Sequence, residues 1–102
     1  MNVEIYPTLD NDKDFFFRLR NDPVTCRMSR RGKITQEEHD VWWAKTQDHR
    51  FIILADRAYA GYVRIGPDGT LSIALDNLYR GLGIGTQALW QIRKICGRLG
   101  YR

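Results

Sequence analysis

The sequence has no long hydrophobic run, and this absence excludes a membrane-spanning helix. The longest apolar stretch covers only residues 51–55, whereas a helix needs about 20 apolar residues to cross a bilayer. The first residues also lack the basic segment and the apolar segment that together form a signal peptide. We therefore expect a cytoplasmic protein that makes no contact with a membrane.

Cysteine and histidine are scarce, which argues against most disulfide and metal chemistry. The chain has two cysteines, Cys26 and Cys96, which lie 70 residues apart, and two histidines, His39 and His49, which lie ten residues apart on different predicted elements. Neither pair has the short spacing of zinc ligands or of a redox motif. The sequence predicts free thiols, as is usual in a reducing compartment, and no metal site.

Acidic residues are missing from the last quarter of the chain. Residues 77–102 carry five basic residues and no acid, whereas residues 1–76 carry 11 basic and 12 acidic residues. A net charge of +4 raises the question of a nucleic-acid partner. However, no motif of the common DNA-binding or RNA-binding modules is present, and stacking aromatics are not interleaved with the basic residues apart from Trp90. We expect no nucleic-acid partner.

The patterns along the chain predict one α/β (α+β) domain over residues 1–102, since 102 residues leave no room for a second. A capping box, Thr35 to Glu38, opens a helix that runs to about residue 46. An Asp-Gly turn at residues 67–69 joins two strands in a tight hairpin. The predicted elements are strand 3–7, helix 11–20, helix 36–46, strands 51–55, 60–66 and 70–75, a glycine-rich loop over 79–86, and a helix with apolar positions 88, 89, 92, 95, 96 and 99 on one face. The predicted order is therefore β-α-α-β-β-β-loop-α around a mostly antiparallel sheet.

The glycine-rich loop is the segment that carries chemistry. Gly81, Gly83 and Gly85 alternate with Leu82 and Ile84 just before a helix. Glycines allow sharp turns and close approach to a ligand, and a helix N-terminus offers unpaired amides and a positive dipole end. This combination suits a phosphate, and Arg80 adds a charged donor. The glycine spacing alone is also compatible with a flexible hinge that binds no ligand, but the interleaved apolar residues and Arg80 favour the anion site.

Two familiar phosphate-binding motifs fit this loop poorly. A P-loop requires a Lys directly after its last glycine, and Thr86 stands there instead. A dinucleotide fingerprint requires a βαβ unit with an acidic residue about 20 positions further on, whereas a predicted antiparallel hairpin precedes this loop.

Residues 80–85, Arg-Gly-Leu-Gly-Ile-Gly, resemble the [RQ]-x-x-G-x-[GA] acetyl-CoA signature of the GNAT superfamily of N-acyltransferases. The element order from residue 1 supports the resemblance over the whole chain. It implies a GNAT-like fold that stops before the family's fifth strand. It also implies direct acyl transfer from acetyl-CoA, the cosubstrate, to an amine, without a metal.

The same resemblance assigns the cofactor-binding residues. The backbone amides of Leu82, Gly83, Ile84, Gly85 and Thr86, with Arg80 beside them, would hold the CoA diphosphate. The edge of the strand at Ile73, Ala74 and Leu75 would pair with the pantetheine arm.

The sequence departs from the family pattern at the catalytic positions. The Glu often found on the fourth strand is missing, and the Tyr often used as general acid would lie beyond residue 102. Asp76, Glu38 and His39 are weak candidates for the base, so the catalytic residues remain unknown. A CoA-binding module of the same fold that does not turn over is therefore the alternative to an active N-acetyltransferase.

Residues 20–43 are similar to branches of the family that acetylate either nucleotide-linked amino sugars or protein N-termini. The resemblance implies a small-molecule or peptide amine as acceptor, on which Trp42 or Trp43 would stack. A fourth strand with an open edge also predicts pairing of two copies into a homodimer.

Overall fold

The computed structural model describes residues 2–22, 33–45, 49–66 and 69–99. These residues form four strands and three α-helices in the predicted order, joined by short 3-10 turns at Asp10–Asp12 and Asn77–Tyr79. The strands are β1 (Val3–Pro7), β2 (His49–Ala55), β3 (Ala58–Ile65) and β4 (Leu71–Leu75), and the helices are α1 (Lys13–Arg20), α2 (Gln36–Lys45) and α3 (Ile84–Leu99). The predicted α/β class and element order are thus confirmed.

The strands form one antiparallel sheet in the order β1-β2-β3-β4. Among the described residues, β4 lies at one edge of this sheet and β1 lies at the other. Pro7 has no backbone N–H, and its place on an edge strand costs the ladder no hydrogen bond. The predicted hairpin turn includes Pro67 and Asp68, which lie outside the described residues. Self-association through the β4 edge stays a prediction.

The chain divides into two compact units, Met1–Thr8 with Asp48–Arg102, called here the sheet unit, and Leu9–Gln47, called the helical unit. The core of the sheet unit joins β-branched and aromatic strand residues to one face of α3. That face carries Ile84, Ala88 and Ile92, all of them at most 1% exposed. Their spacing of four residues aligns them along the helix.

One residue assigned to the apolar face of α3 is placed differently by the structure. Leu89 is 40% exposed, because it lies 100° around the helix from buried Ala88 and falls at the margin of the packed stripe. The side chains of Cys96 and Leu99, also assigned to that face, lie outside the described part of the chain.

The helical unit begins with a tight turn and contains α1 and α2. The Leu9 amide donates to the Asp12 carboxylate at 2.8 Å, and the Asp12 amide donates to the Leu9 carbonyl at 2.9 Å. This turn explains why α1 starts at Lys13 rather than at the predicted residue 11. Phe16 and Leu19 of α1 are buried. Pro23, which follows this helix in the sequence, lies outside the described residues.

The predicted capping box at the start of α2 is present in both directions. The Glu38 amide donates to Thr35 Oγ1 at 3.1 Å, and the Thr35 amide donates to a Glu38 carboxylate oxygen at 3.0 Å. Reciprocal bonds of this kind satisfy two amides that the helix itself leaves without acceptors. The capping box therefore fixes where α2 begins.

Candidate functional site

The glycine-rich loop between β4 and α3 adopts a backbone that glycine is suited to. Gly81 has a φ of +77° and Gly83 a φ of +76°, both in the left-handed region that residues with a Cβ enter only with strain. A Cβ added at either position would meet no atom within 4 Å. The space beside both glycines is therefore open, as a phosphate-binding loop requires.

The start of α3 directs backbone amides out of the loop. The Gln87 amide donates to the Gly83 carbonyl at 3.2 Å, so Gly83 is the residue at which helical hydrogen bonding begins. The amides of residues 84–86 belong to the first turn, which has no acceptor within the helix. Together with the positive end of the helix dipole, they form a site that favours an anion.

The loop is anchored by one apolar residue rather than two. Ile84 is fully buried in the core of the sheet unit, whereas Leu82 is 51% exposed. Of the two interleaved apolar residues, Ile84 therefore packs in the core, whereas Leu82, between the two glycines with positive φ, stays half-exposed. Ile84 packs with buried residues of the strands and so joins the helix start to the sheet.

Arg80 stands at the entrance of the loop, and its guanidinium is positioned by a residue that the sequence analysis did not single out. Its Nη1 donates to Asn77 Oδ1 at 3.2 Å. The side chain is half-buried, which limits the rotamers open to it. The two residues are three apart in the sequence, since Asn77 opens the 3-10 turn whose C-cap is Arg80.

The open edge of β4 presents a defined set of backbone groups. The Gly66 amide donates to the Thr70 carbonyl at 2.8 Å and the Asp76 amide donates to the Ala60 carbonyl at 2.7 Å, at the two ends of the β3–β4 ladder. Because bonded and non-bonded pairs alternate in an antiparallel ladder, Ala74 directs its backbone groups toward β3. Ile73 and Leu75 direct theirs away from the sheet. Of the three edge residues predicted to pair with a ligand, two therefore face outward.

Asp76 directly follows this edge and is half-buried. Its backbone is fixed on both sides, since its amide bonds to Ala60 and its carbonyl accepts from the Tyr79 amide at 2.9 Å. Among the three candidate bases, Asp76 is the one in the sheet unit, beside the β4 edge and the glycine loop. Its role as a base stays a prediction.

The other two candidate bases lie on α2 in the helical unit and are engaged in the fold. The Glu38 carboxylate accepts from the Thr35 amide in the capping box. His39 is 0% exposed, with Nε2 at 2.9 Å from the Lys13 carbonyl oxygen and Nδ1 at 3.1 Å from Arg20 Nη1. Burial, opposed by the hydrogen bond to the Lys13 carbonyl, lowers the pKa of His39 below its usual value. Both contacts suit structural roles.

Trp42 and Trp43 also lie on α2 and are half-buried. The Trp43 ring meets Phe16 edge-on, with centroids 5.2 Å apart. The Trp42 ring stacks on His39 at 5.5 Å, and the Arg20 guanidinium lies 4.2 Å from the Trp42 ring centroid. Each indole thus has aromatic or cationic partners within the helical unit, and its proposed contact with an acceptor stays a prediction.

The described ranges contain neither a membrane-spanning helix nor a cluster of metal-ligating side chains. No helix among them is long and apolar enough to cross a membrane. No group of three or more His, Cys, Asp or Glu side chains in these ranges is placed to hold a metal ion.

Comparison with known proteins gives one family match. The model described as the acetyltransferase (GNAT) family matches residues 15–102 of this chain. This range includes the glycine loop, the β4 edge, all of α2 and all but the first two residues of α1. A search of curated proteins found no significant match.

Several solved structures have the same fold. A domain from Methanocaldococcus jannaschii superposes with a TM-score of 0.82 at 20% identity, covering 99% of this chain and 73% of that one. An N-acetyltransferase from Staphylococcus aureus superposes with a TM-score of 0.75 at 22% identity, covering 100% of this chain and 70% of that one. The PaiA N-acetyltransferase from Thermoplasma acidophilum, in complex with coenzyme A, superposes with a TM-score of 0.63 at 15% identity, covering 98% of this chain and 75% of that one. At these identities the likeness shows a shared fold.

Proposed function

The chain belongs to the GNAT acetyltransferase family, and from that premise we propose that it transfers an acetyl group from acetyl-CoA to a primary amine. The observation that carries the proposal is the backbone of the glycine loop. Gly81 and Gly83 hold left-handed conformations beside open space, and the loop leads directly into the N-terminus of a 16-residue helix. The coenzyme A complex of a protein with the same fold supports this choice of ligand.

The loop suits the diphosphate of CoA in both charge and shape. The amides of residues 82–86 would donate to its oxygens, and the Arg80 guanidinium, held by Asn77, would add a charge-assisted hydrogen bond. The outward backbone groups of Ile73 and Leu75 would pair with the amides of the pantetheine arm, as a neighbouring strand would. In this arrangement the loop would bind the charged diphosphate, and the β4 edge would form strand-like hydrogen bonds with the pantetheine arm.

Acetyl-CoA supplies an activated acetyl thioester. The reaction joins the amine nitrogen to the acetyl carbon, breaks the carbon–sulfur bond, and transfers one proton from the amine to the departing sulfur. A base that takes the amine proton is needed because a protonated amine has no free lone pair. We assign this role to Asp76, since Glu38 and His39 already hold other groups of the fold.

For the acceptor, we propose an amine of a nucleotide-linked amino sugar or of a peptide. The similarity of residues 20–43 to family branches with these acceptors supports the proposal. Trp42 and Trp43, both half-buried, each offer an aromatic surface on which a sugar or a base can stack.

The alternative is a CoA-binding module that performs no transfer. The observation in its favour is that the candidate bases on α2 are occupied, Glu38 by the capping box and His39 by two ring hydrogen bonds. Under this alternative the loop would still hold CoA, and the chain would respond to the ligand without consuming it.

A transfer assay separates the two functions. The chain is incubated with acetyl-CoA and a panel of amino-sugar nucleotides and peptides, and both the released thiol and the acetylated product are measured. We expect a product with one amine class, and at least a tenfold lower rate for Asp76→Asn, because general-base catalysis typically contributes about 10² to 10⁴-fold. Glu38→Gln is the matched control and should retain the rate. Binding of acetyl-CoA with no product above the amine-free background would instead select the module.

A further inference from the structure

His39 is a fully buried titratable residue that the proposed reaction does not use. It is 0% exposed on α2, although imidazole is a polar group. Both ring nitrogens lie at hydrogen-bond distance from α1, Nε2 from the Lys13 carbonyl oxygen at 2.9 Å and Nδ1 from Arg20 Nη1 at 3.1 Å. The ring therefore ties two turns of α1 to α2 within the helical unit.

The two contacts allow one protonation state only. A carbonyl oxygen accepts hydrogen bonds and a guanidinium donates them. Nε2 must therefore carry the proton, and Nδ1 must keep its lone pair to accept from Arg20. The neutral Nε2–H ring satisfies both partners, whereas a second proton on Nδ1 would face the N–H of Arg20 directly.

The surroundings of the His39 ring make a positive charge on it less favourable. Phe17 and Trp43 lie beside it with ring centroids 5.2 and 6.0 Å away, and Trp42 stacks on it. Burial is the main cause that lowers the pKa of His39, and the Arg20 and Lys13 charges act in the same direction. Asp40 and the hydrogen bond to the Lys13 carbonyl oppose them. Asp40 itself is paired with Lys13 Nζ at 3.1 Å.

We propose that His39 is a pH-sensitive latch in the helical unit, whose uncharged ring holds α1 to α2 and whose protonation displaces Arg20 and loosens the pair. Displacement of Arg20 also removes the guanidinium from the Trp42 ring, 4.2 Å away. Protonation of one buried ring would thus change the surface that α2 offers around Trp42.

The direction of the pH dependence follows from the depressed pKa. The unfolded chain, with an ordinary histidine pKa of about 6.5, binds the proton more readily than the folded chain. The stabilisation from the neutral ring is present above pH 6.5 and is lost as the pH falls below it. Because one proton is involved, the unfolding equilibrium constant should rise by up to about tenfold per pH unit in that range.

The test uses the full chain and combines histidine NMR with urea unfolding between pH 8 and 5. The chain has two histidines, so the resonances of His39 and of the exposed His49 are assigned with His49→Gln. We expect the Nε2–H tautomer for His39, protonation of its ring only at a pH below the ordinary histidine pKa of about 6.5, and a loss of stability below pH 6.5 which His49→Gln retains.

Two variants keep the proposal falsifiable. His39→Gln keeps a side-chain N–H donor but cannot titrate, so the loss of stability attributed to this site should disappear. If His39→Gln does not fold, Arg20→Gln serves instead. Removal of the Arg20 charge should raise the His39 pKa and reduce the acid effect. Two results would overturn the latch. One is a His39 ring that titrates near pH 6.5 without loss of stability, and the other is a loss of stability on acidification that is the same in either folded variant as in the unchanged chain.

Discussion

At the residue scale, two of the three loop glycines are held in a conformation that other residues adopt with strain. Gly81 and Gly83 have positive φ values, whereas Gly85 lies in the first turn of α3 without one. A Cβ at Gly85 would lie 3.7 Å from Leu75 Cδ1, an ordinary van der Waals contact. The backbone conformation therefore favours glycine at positions 81 and 83, but not at position 85.

Replacement of Gly83 by Ala tests this distinction. We expect Gly83→Ala to lower the free energy of unfolding by about 1–2 kcal/mol, because a left-handed backbone carries that cost in a residue with a Cβ. Because the space around the Cβ position is open, steric clash does not contribute to the expected loss of stability. Urea unfolding measures the change.

The matched control is Gly85→Ala. Alanine at this helical position should leave the stability unchanged or raise it by up to about 1 kcal/mol, since glycine is a poor helix residue. Equal losses in the two variants would show that the loop is not held in the left-handed conformation.

The sequence alone predicts the chemistry of single residues only in part. The alternation of residues 81–85 indicates a phosphate loop, but not which glycines need a positive φ. The sequence also makes Glu38 and His39 candidate bases. The engagement of Glu38 follows from the predicted capping box with Thr35. That of His39 becomes visible only in the structure, because it depends on Lys13 and Arg20, which the packing of α1 brings close.

At the element scale, the close approach of β3 and β4 depends on Gly61. A Cβ added there would lie 2.2 Å from the Ala74 carbonyl oxygen and 2.9 Å from Leu75 Cδ2. The first of these atoms belongs to the backbone of β4, so the clash cannot be relieved by a side-chain rotation. Gly61 also lies next to the irregularity in the β2–β3 register, between Ile53 and Leu54.

Gly61→Ala should therefore destabilise the sheet unit. We expect a loss of about 1–3 kcal/mol, the usual cost of inserting a methyl group into a packed site, measured by urea unfolding. Displacement of β4 should also weaken acetyl-CoA binding, since β4 carries the edge proposed to pair with the ligand.

The same substitution at Gly97 of α3 is the control. A Cβ at Gly97 would meet nothing within 4 Å, so Gly97→Ala should raise stability by up to about 1 kcal/mol through helix propensity. A Gly61→Ala variant as stable as the Gly97→Ala variant would contradict the close approach of the two strands.

Elements were predictable from the sequence where their signals are local. The capping box of α2 follows from Thr35 and Glu38 alone and is present as expected. The 3.6-residue period of α3 gives its buried stripe, but the width of that stripe depends on the sheet beneath, so Leu89 at its margin was misassigned. The start of α1 depends on the Leu9–Asp12 turn, which no simple pattern marks.

At the scale of the whole molecule, the residues proposed to bind CoA belong to one compact unit. The β4 edge, Asp76, Arg80 and the glycine loop all lie in the sheet unit, whereas Trp42 and Trp43 lie in the helical unit. The sequence predicts the order of the elements along the chain, but which backbone groups of β4 face outward depends on the register of the β3–β4 ladder. That register depends on pairing along the entire hairpin.

The central claim is that the loop and the β4 edge together bind acetyl-CoA, and calorimetric titration of the full chain tests it most directly. The account predicts saturable one-to-one binding of acetyl-CoA, and much weaker binding of acetyl-pantetheine, which lacks the diphosphate that the loop amides and Arg80 would hold. Circular dichroism under the same conditions confirms that the chain is folded. A folded chain that gives no binding heat at millimolar acetyl-CoA, or that binds both compounds equally well, would contradict the account.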